Sequence, residues 1–221
     1  MFPLWLVRAY LRTILGCIVA TVAATNPNTQ GGNPGQTTMP ARAENGPRPG
    51  DAIPSHYRWC FGCGPDHPTG LHMQLFAGND LSTYGTFVVT DNHQGAPGLA
   101  HGGLLTTAMD EVLGSLNWLL ASPAVTAHLE CDFRRPVPVG SLLQMTAKVD
   151  GVQGRRVNMT AQALLDGKQA VTARAVFVQV PLEHFLNYGN AEQVQEAIRE
   201  RGQRSGVRGP GVADVDVQVN P

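Results

Sequence analysis

Leu99-Ala100-His101-Gly102-Gly103-Leu104-Leu105-Thr106-Thr107-Ala108-Met109-Asp110-Glu111-Val112-Leu113 is the stretch that decides the fold. Two glycines close a loop and an apolar pattern of helical period starts at once. Leu104, Ala108, Val112, Leu116 and Leu120 recur every four residues, with Leu105, Met109 and Leu113 beside them, which predicts a helix from about Gly103 to Leu120. That apolar surface is wider than an outer helix needs, so other elements must enclose it. Thr107, Asp110 and Gly114 form a narrow stripe on another side. An aspartate among Met109, Val112 and Leu113 is out of place unless it has a partner or a task. The helix start presents unpaired N–H groups and a partial positive charge, suited to a developing oxyanion, while a carboxylate can act on water or on carbon. The combination reads as a hydrolytic site.

Outward from this helix the chain reads as strands. Residues 71–76 and 83–90 carry Thr, Tyr, Phe and Val in alternating or apolar runs, and 91–100 reads as a loop around Gly95, Pro97 and Gly98. After Ser122-Pro123, four more strands are predicted at about 125–134, 141–152, 155–165 and 169–180. The turns between them fall at Pro136 to Gly140, at Asp150-Gly151 through Gly154, and at Asp166-Gly167, a strong hairpin signal. Two strands, one buried helix and four consecutive strands imply an α+β domain with a mostly antiparallel sheet packed on one helix.

The folded domain is expected over 56–181. Residues 25–55, rich in Asn, Pro, Gly, Gln and Thr, read as a disordered linker, and 182–221 as a short helix near 182–200 with a loose tail. In residues 1–24, Arg8 and Arg12 precede an apolar run from Ile14 to Ala24, as in a signal peptide. A start at Met39 is the other reading of this end. Four cysteines in 221 residues make no disulfide scaffold and favour a reducing compartment, so a cytoplasmic location and export stand as competing expectations. With 15% charged residues and a net charge of −1, nothing draws the chain globally to nucleic acid or to an anionic membrane. Phosphate-cradling glycine loops, a serine nucleophile elbow and a dinucleotide fingerprint are all missing from the sequence.

Three pieces carry a family resemblance. They are His101-Gly102-Gly103 with Asp110 nine residues after the histidine, the strand Val125 to Phe133, and Arg134-Arg135-Pro136 through Gly140. Together they resemble the PaaI-type acyl-CoA thioesterases of the hotdog superfamily. Gln94-Gly95-Ala96-Pro97-Gly98, and Cys60-Phe61-Gly62-Cys63-Gly64 up to Gly70-Leu71, are similar to one branch of it; the likeness covers residues 57–180. It implies a hotdog fold, with an antiparallel sheet wrapped around one long central helix, assembled as a homodimer or a dimer of dimers. It also implies acyl-CoA as substrate, no cofactor, and a site between subunits. Spacing supports a shared site independently, because Gly102 and Asp110 stand about 12 Å apart along one helix. Antiparallel helices in a two-fold dimer would bring the glycines of one chain to the acid of the other.

The resemblance assigns catalysis to Asp110, either activating water or attacking the thioester. The alternative for Asp110 is an exposed helix acid or an intersubunit ion pair. Gly102 or Gly103 would offer backbone N–H to the carbonyl oxygen, and the same pair serves a tight strand-to-helix turn. Thr126 matches the Ser or Thr that holds the attacking water in such enzymes, against a plain β-forming threonine. His101 is expected to fix the loop by hydrogen bonding rather than to act as base. Where relatives carry Asn or Gln six residues before the histidine, this chain has Gly95, with Gln94 adjacent to serve. Arg134 and Arg135 would grip CoA phosphates or lie free on the surface. Trp118 and Leu119 would border an acyl tunnel or pack in the core, and Glu111 points to another side of the helix in a structural role. Cys60-x-x-Cys63 with His56, His67 and His72 invites a zinc reading, but no second ligand pair is spaced for it. A glycine-rich structural knuckle without metal is therefore expected. An acyl-carrier-protein thioesterase and a non-catalytic acyl-CoA-binding protein remain alternatives. A hydratase lacks the Asp/His pair it would want.

Overall fold

The computed structural model describes residues 36–204. β1 (Leu75–Ala77) and β2 (Ser82–Val88) precede a small hairpin, β3 (Gln94–Ala96) with β4 (Leu99–Ala100), and then helix α1 (Gly102–Gly114). The four long strands β5 (Ala124–Phe133), β6 (Leu142–Gln153), β7 (Arg156–Leu165) and β8 (Lys168–Gln179) follow, as their alternation and turn residues dictate. Asp166 and Gly167 both adopt positive φ, 51° and 71°, which suits the tight turn joining β7 to β8. One six-stranded antiparallel sheet results, in the order β1-β2-β6-β7-β8-β5.

The sheet curls about α1, which packs against β2, β5, β6, β7 and β8. Met109, Val112, Leu113 and Leu116 are all but inaccessible and meet Leu143, Met145, Val157, Met159 and Val171 from the strands. Burying each such side chain contributes on the order of 1.5–3 kcal/mol, so the helix is held by its surroundings more than by its own propensity. The expected α+β architecture is the observed one, a hotdog arrangement of one sheet around one helix.

Several details depart from expectation. The α-helix ends at Gly114 rather than Leu120 and tightens into a 3-10 turn over Ser115–Trp118. Ser115 is the cause: its buried hydroxyl donates to the Val112 carbonyl at 2.6 Å, beside the Thr83 hydroxyl 2.9 Å away, and so competes with the helical ladder. The loop 91–100 is a 3-10 turn (Asp91–His93) followed by the β3–β4 hairpin. In place of one helix near 182–200 there are two, α2 (Leu182–Tyr188) and α3 (Ala191–Arg204). Between them Asn190 starts α3 by accepting from the Glu192 and Gln193 N–H groups, each at 3.1 Å.

The largest correction concerns 25–55. Its described part, 36–55, is no free linker but a strap laid over the domain. Thr38 exchanges two backbone bonds with Val152 (2.9 and 2.8 Å), Ala43 donates to the Leu119 carbonyl, and Gly50, Asp51 and Ile53 bond to Ala77 and Leu75. The Arg42 guanidinium donates to the carbonyls of Pro47 (2.6 Å) and Gly78 (2.8 Å) and to that of Asp80. Composition reports few apolar residues and misses a segment anchored through its backbone. The signal-like residues 1–24, the rest of the linker and the tail beyond 204 lie outside the described residues. Among those described, no helix is long and apolar enough to cross a membrane.

Candidate active site

Asp110 leaves α1 on its less apolar side, half-buried, and Thr126 meets it there: the Thr126 hydroxyl donates to Asp110 Oδ1 at 2.9 Å. Simple alternation along β5 would not give this contact. His128, Glu130 and Asp132 pair with Val176, Arg174 and Thr172, on the face turned away from the helix, and a regular strand would put Thr126 with them. A register shift between Thr126 and His128 accommodates Ala127 as an extra residue, and Thr126 pairs instead with the buried Phe177. The bulge thereby turns Thr126 toward Asp110. Burial raises the Asp110 pKa above the ordinary carboxylate value, and the Thr126 hydrogen bond opposes that rise. A carboxylate so placed holds a proton more readily than a surface aspartate does, as a general base must.

The helix N-terminus is built by His101. It is the N-cap, extended at φ −70° and ψ 131°, and its ring Nδ1 accepts the Gly103 N–H at 2.9 Å. His101 thereby ties the loop to the helix start and occupies the Gly103 amide. Of the two glycines, only Gly102 can present its N–H outward, being the first helical residue with no intrahelical acceptor. A Cβ added to Gly102 would meet only the Phe133 ring, at an ordinary 3.6 Å, so this chain's own packing does not demand glycine there. Gly95 supports the same corner, since a Cβ on it would come within 2.8 Å of His101 Cα. Gln94 is spent within its own hairpin, accepting from the Gly98 N–H at 2.7 Å and donating to the Asp91 carbonyl at 3.1 Å.

Arg134 lies on the surface, one of its two expected places. It pairs with Asp132 at 3.0 Å and borders a shallow depression on the outer face of the sheet, with Glu130, Thr146, Lys148 and Arg174. None of Asp110, Thr126 and Gly102 borders that depression. The Arg135 side chain is exposed. Leu119 is fully buried in the core, so it packs rather than lining an opening.

On another flank of α1 the structure assembles a group whose full membership sequence spacing did not give. His56, Cys60, Cys63 and Glu111 each offer a donor atom, all within 4.8 Å of one another. His56 Nδ1 lies 3.2 Å from Glu111 Oε1 and 3.3 Å from Cys63 Sγ, and Cys60 Sγ lies 3.7 Å from Glu111 Oε2. Burial works to lower the His56 pKa, but hydrogen bonds with Cys60 and Glu111 outweigh it and raise it to about 9. The hydrogen bond with Cys63 lowers Cys60 to about 5 against burial, aided by His56, while Cys63 is raised. Glu111 has its pKa lowered: burial opposes this, and His56 overcomes it. His67 and His72 stay outside, facing Phe61 and the Gly64 carbonyl. The signal for the missing partner was present in part, because a glutamate beside Asp110 that turns into the domain must find a positive or proton-donating neighbour.

The thioesterase superfamily pattern matches residues 97–171. The acyl-coenzyme A thioesterase THEM5 of Mus musculus is 36% identical over 92 residues, which is 41% of this chain and 37% of that protein. Acyl-coenzyme A thioesterase THEM4 of Bos taurus is 29% identical over 115 residues, 52% of this chain and 47% of its own. The chain thus spans less than half the length of these curated relatives. The crystal structure of a thioesterase superfamily protein shares the fold at a TM-score of 0.53 and 24% identity, over 77% of this chain and 78% of that one.

Proposed function

We propose, from the thioesterase superfamily match over residues 97–171, the hotdog fold and the PaaI-type motifs, that this chain hydrolyses an acyl-CoA thioester to a free acid and CoA. The observation that carries the reading is the 2.9 Å hydrogen bond from Thr126 to the half-buried Asp110. Water held between these two side chains gives a proton to Asp110 as its oxygen attacks the thioester carbon. The carbonyl oxygen becomes an oxyanion, met by an outward-facing glycine N–H at a helix start. Collapse expels CoA as a thiolate, a leaving group good enough to need no strong acid. Direct attack by Asp110 through an anhydride consumes the same water one step later.

The Gly102 donor lies about 12 Å along the helix from Asp110 of its own chain, so the oxyanion is held by Gly102 of the partner subunit. β5 supports a pairing of this kind. It is an edge strand, it carries Thr126, and its end residue Phe133 is 52% exposed next to Gly102. The protein is accordingly read as a homodimer, or a dimer of dimers, with two shared sites per pair. Free thiols at Cys60, Cys63 and Cys131 suit a reducing, cytoplasmic setting. Terminal sequencing of the native protein tests this, since a mature end near Thr25 means export.

Thiol release from acetyl- to stearoyl-CoA, with phenylacetyl- and benzoyl-CoA, tests the activity. Turnover of at least one member is expected, and binding of CoA esters with no turnover of any would overturn hydrolysis in favour of a binding protein. The pH profile supplies a finer check. Asp110 acts only when deprotonated, so kcat/KM falls on the acid side through its raised pKa. Thr126→Val removes the hydrogen bond that opposes the rise, and the acid limb is expected to move to higher pH, with about a tenfold loss at neutral pH. An acid limb that stays in place would show that Thr126 does not act on Asp110.

A further inference from the structure

From the side chains gathered around His56, we propose that this chain carries a structural zinc site made by His56, Cys60, Cys63 and Glu111, independent of whether it hydrolyses thioesters. The first argument is the donor set. Thiolate, imidazole and carboxylate are all ligand types that zinc takes, and thiolates select against magnesium and calcium. The second is spacing. Ligands at ordinary Zn–S, Zn–N and Zn–O lengths in a tetrahedron stand about 3.3–3.8 Å from one another. The His56–Glu111, His56–Cys63 and Cys60–Glu111 atoms are 3.2, 3.3 and 3.7 Å apart. A small shift of side chains would admit an ion between them.

The third argument is the backbone around the cysteines, which leaves little choice of residue. Gly64 donates its N–H to the Cys60 carbonyl at 2.8 Å, and a Cβ on it would lie 2.5 Å from the Cys60 N and the Arg58 carbonyl. A Cβ on Gly62 would lie 2.0 Å from Glu111 Oε2. Gly64 is therefore required by the backbone of the Cys-x-x-Cys turn, and glycine at 62 leaves the Glu111 carboxylate its place beneath it. The His56 N–H points at Cys63 Sγ from 3.2 Å, a backbone donor aimed at a sulfur that would carry negative charge as a ligand. Outer bonds then fix the turn to the rest of the domain, from Leu71 N to the Phe61 carbonyl and from Met73 N to the Gly62 carbonyl.

Four protein ligands leave no open position on a tetrahedral ion, so its role is to hold rather than to react. Binding forms two Zn–S bonds, one Zn–N bond and one Zn–O bond. Protons still on the thiols and on the ligating imidazole nitrogen pass to solvent. What the ion would hold is the 56–64 loop against α1 at Glu111, one residue from Asp110.

The test uses the full chain, prepared without added chelator and with a phosphine reductant. About one zinc per chain is expected by elemental analysis, with Cys60 and Cys63 resisting alkylation until a strong chelator is added. Cobalt(II) in place of zinc should give the absorption of a tetrahedral thiolate site. Cys60→Ser and Cys63→Ser should each lower retained zinc at least tenfold, and Cys131→Ser should leave it unchanged. Where the serine variants fail to fold, the alkylation and cobalt measurements on the native chain decide. Metal absent both as prepared and after added zinc would overturn the site, leaving a hydrogen-bonded quartet. A Cys60–Cys63 disulfide whose reduced form takes up no zinc would overturn it in favour of a redox pair.

Discussion

Asp110→Asn is expected to reduce acyl-CoA hydrolysis by about 10²-fold or more while leaving the protein folded. The substitution keeps size and shape, and the amide oxygen can still accept the Thr126 hydrogen bond, but it cannot take a proton from water or attack a carbonyl. Its effect on stability has a definite sign. Burial raises the pKa of Asp110 in the folded state. The group thus favours folding when protonated, and that contribution is lost as pH rises through the folded-state value. At neutral pH the native carboxylate is a cost to the fold, so Asp110→Asn should melt at the same temperature as the native chain or higher. A rise in melting temperature with a collapse in turnover marks a residue kept for chemistry. Unchanged turnover would remove Asp110 from the mechanism even if hydrolysis were real.

Gly102→Pro should lower kcat by about 10²–10³-fold, the effect of losing one donor to an oxyanion, with little loss of stability. Proline is tolerated at the first helical position because the N–H there has no partner in the helix. His101 already has the extended backbone that a following proline requires. Gly102→Ala keeps the N–H, and its Cβ would meet only Phe133 at 3.6 Å, so it should retain far more activity than the proline variant. Equal losses in the two would point to crowding of the substrate rather than to the donor. Because the site is read as shared, mixing the Asp110→Asn and Gly102→Pro chains under exchange should restore activity. In the mixed dimer one site carries both changes and the other carries neither, which gives about half the native turnover per mixed dimer. No recovery on confirmed subunit exchange would mean that the two residues act within one chain.

Periodicity and turn chemistry made most of this fold legible. The helix face, the four long strands and the Asp166-Gly167 turn follow from residue type at fixed spacing, and each lies within a few residues of its expected position, apart from the helix end at Gly114. What escaped was set by contacts distant in sequence. Ser115 ends the α-helix early where its buried hydroxyl meets Thr83 of β2, 32 residues away, a partner that the sequence around Ser115 does not announce. The strap at 36–55 is held by backbone bonds and by one arginine, which composition does not see. At the candidate site the family motif points to Thr126, while the bulge at Ala127 that turns it toward Asp110 has no signature in residue type. Helical geometry turns Glu111 away from Asp110, but its companions His56, Cys60 and Cys63 come from a loop about fifty residues earlier, which no local spacing predicts.

Asp110 and Glu111 are consecutive on one turn of α1 and face different neighbours, Thr126 on β5 and the His56–Cys60–Cys63 loop. Over evolutionary time this makes the length of that helix far less free than its composition. Deleting or inserting one residue between Leu104 and Met109 would rotate both carboxylates by about 100° relative to Gly102, and both sets of neighbours would be lost in a single event. Descendants of this sequence can exchange apolar residues around the helix, and can lengthen the turns at Gly154 or Gly167. The eight-residue interval from Gly102 to Asp110 is the part of the chain that indels cannot enter.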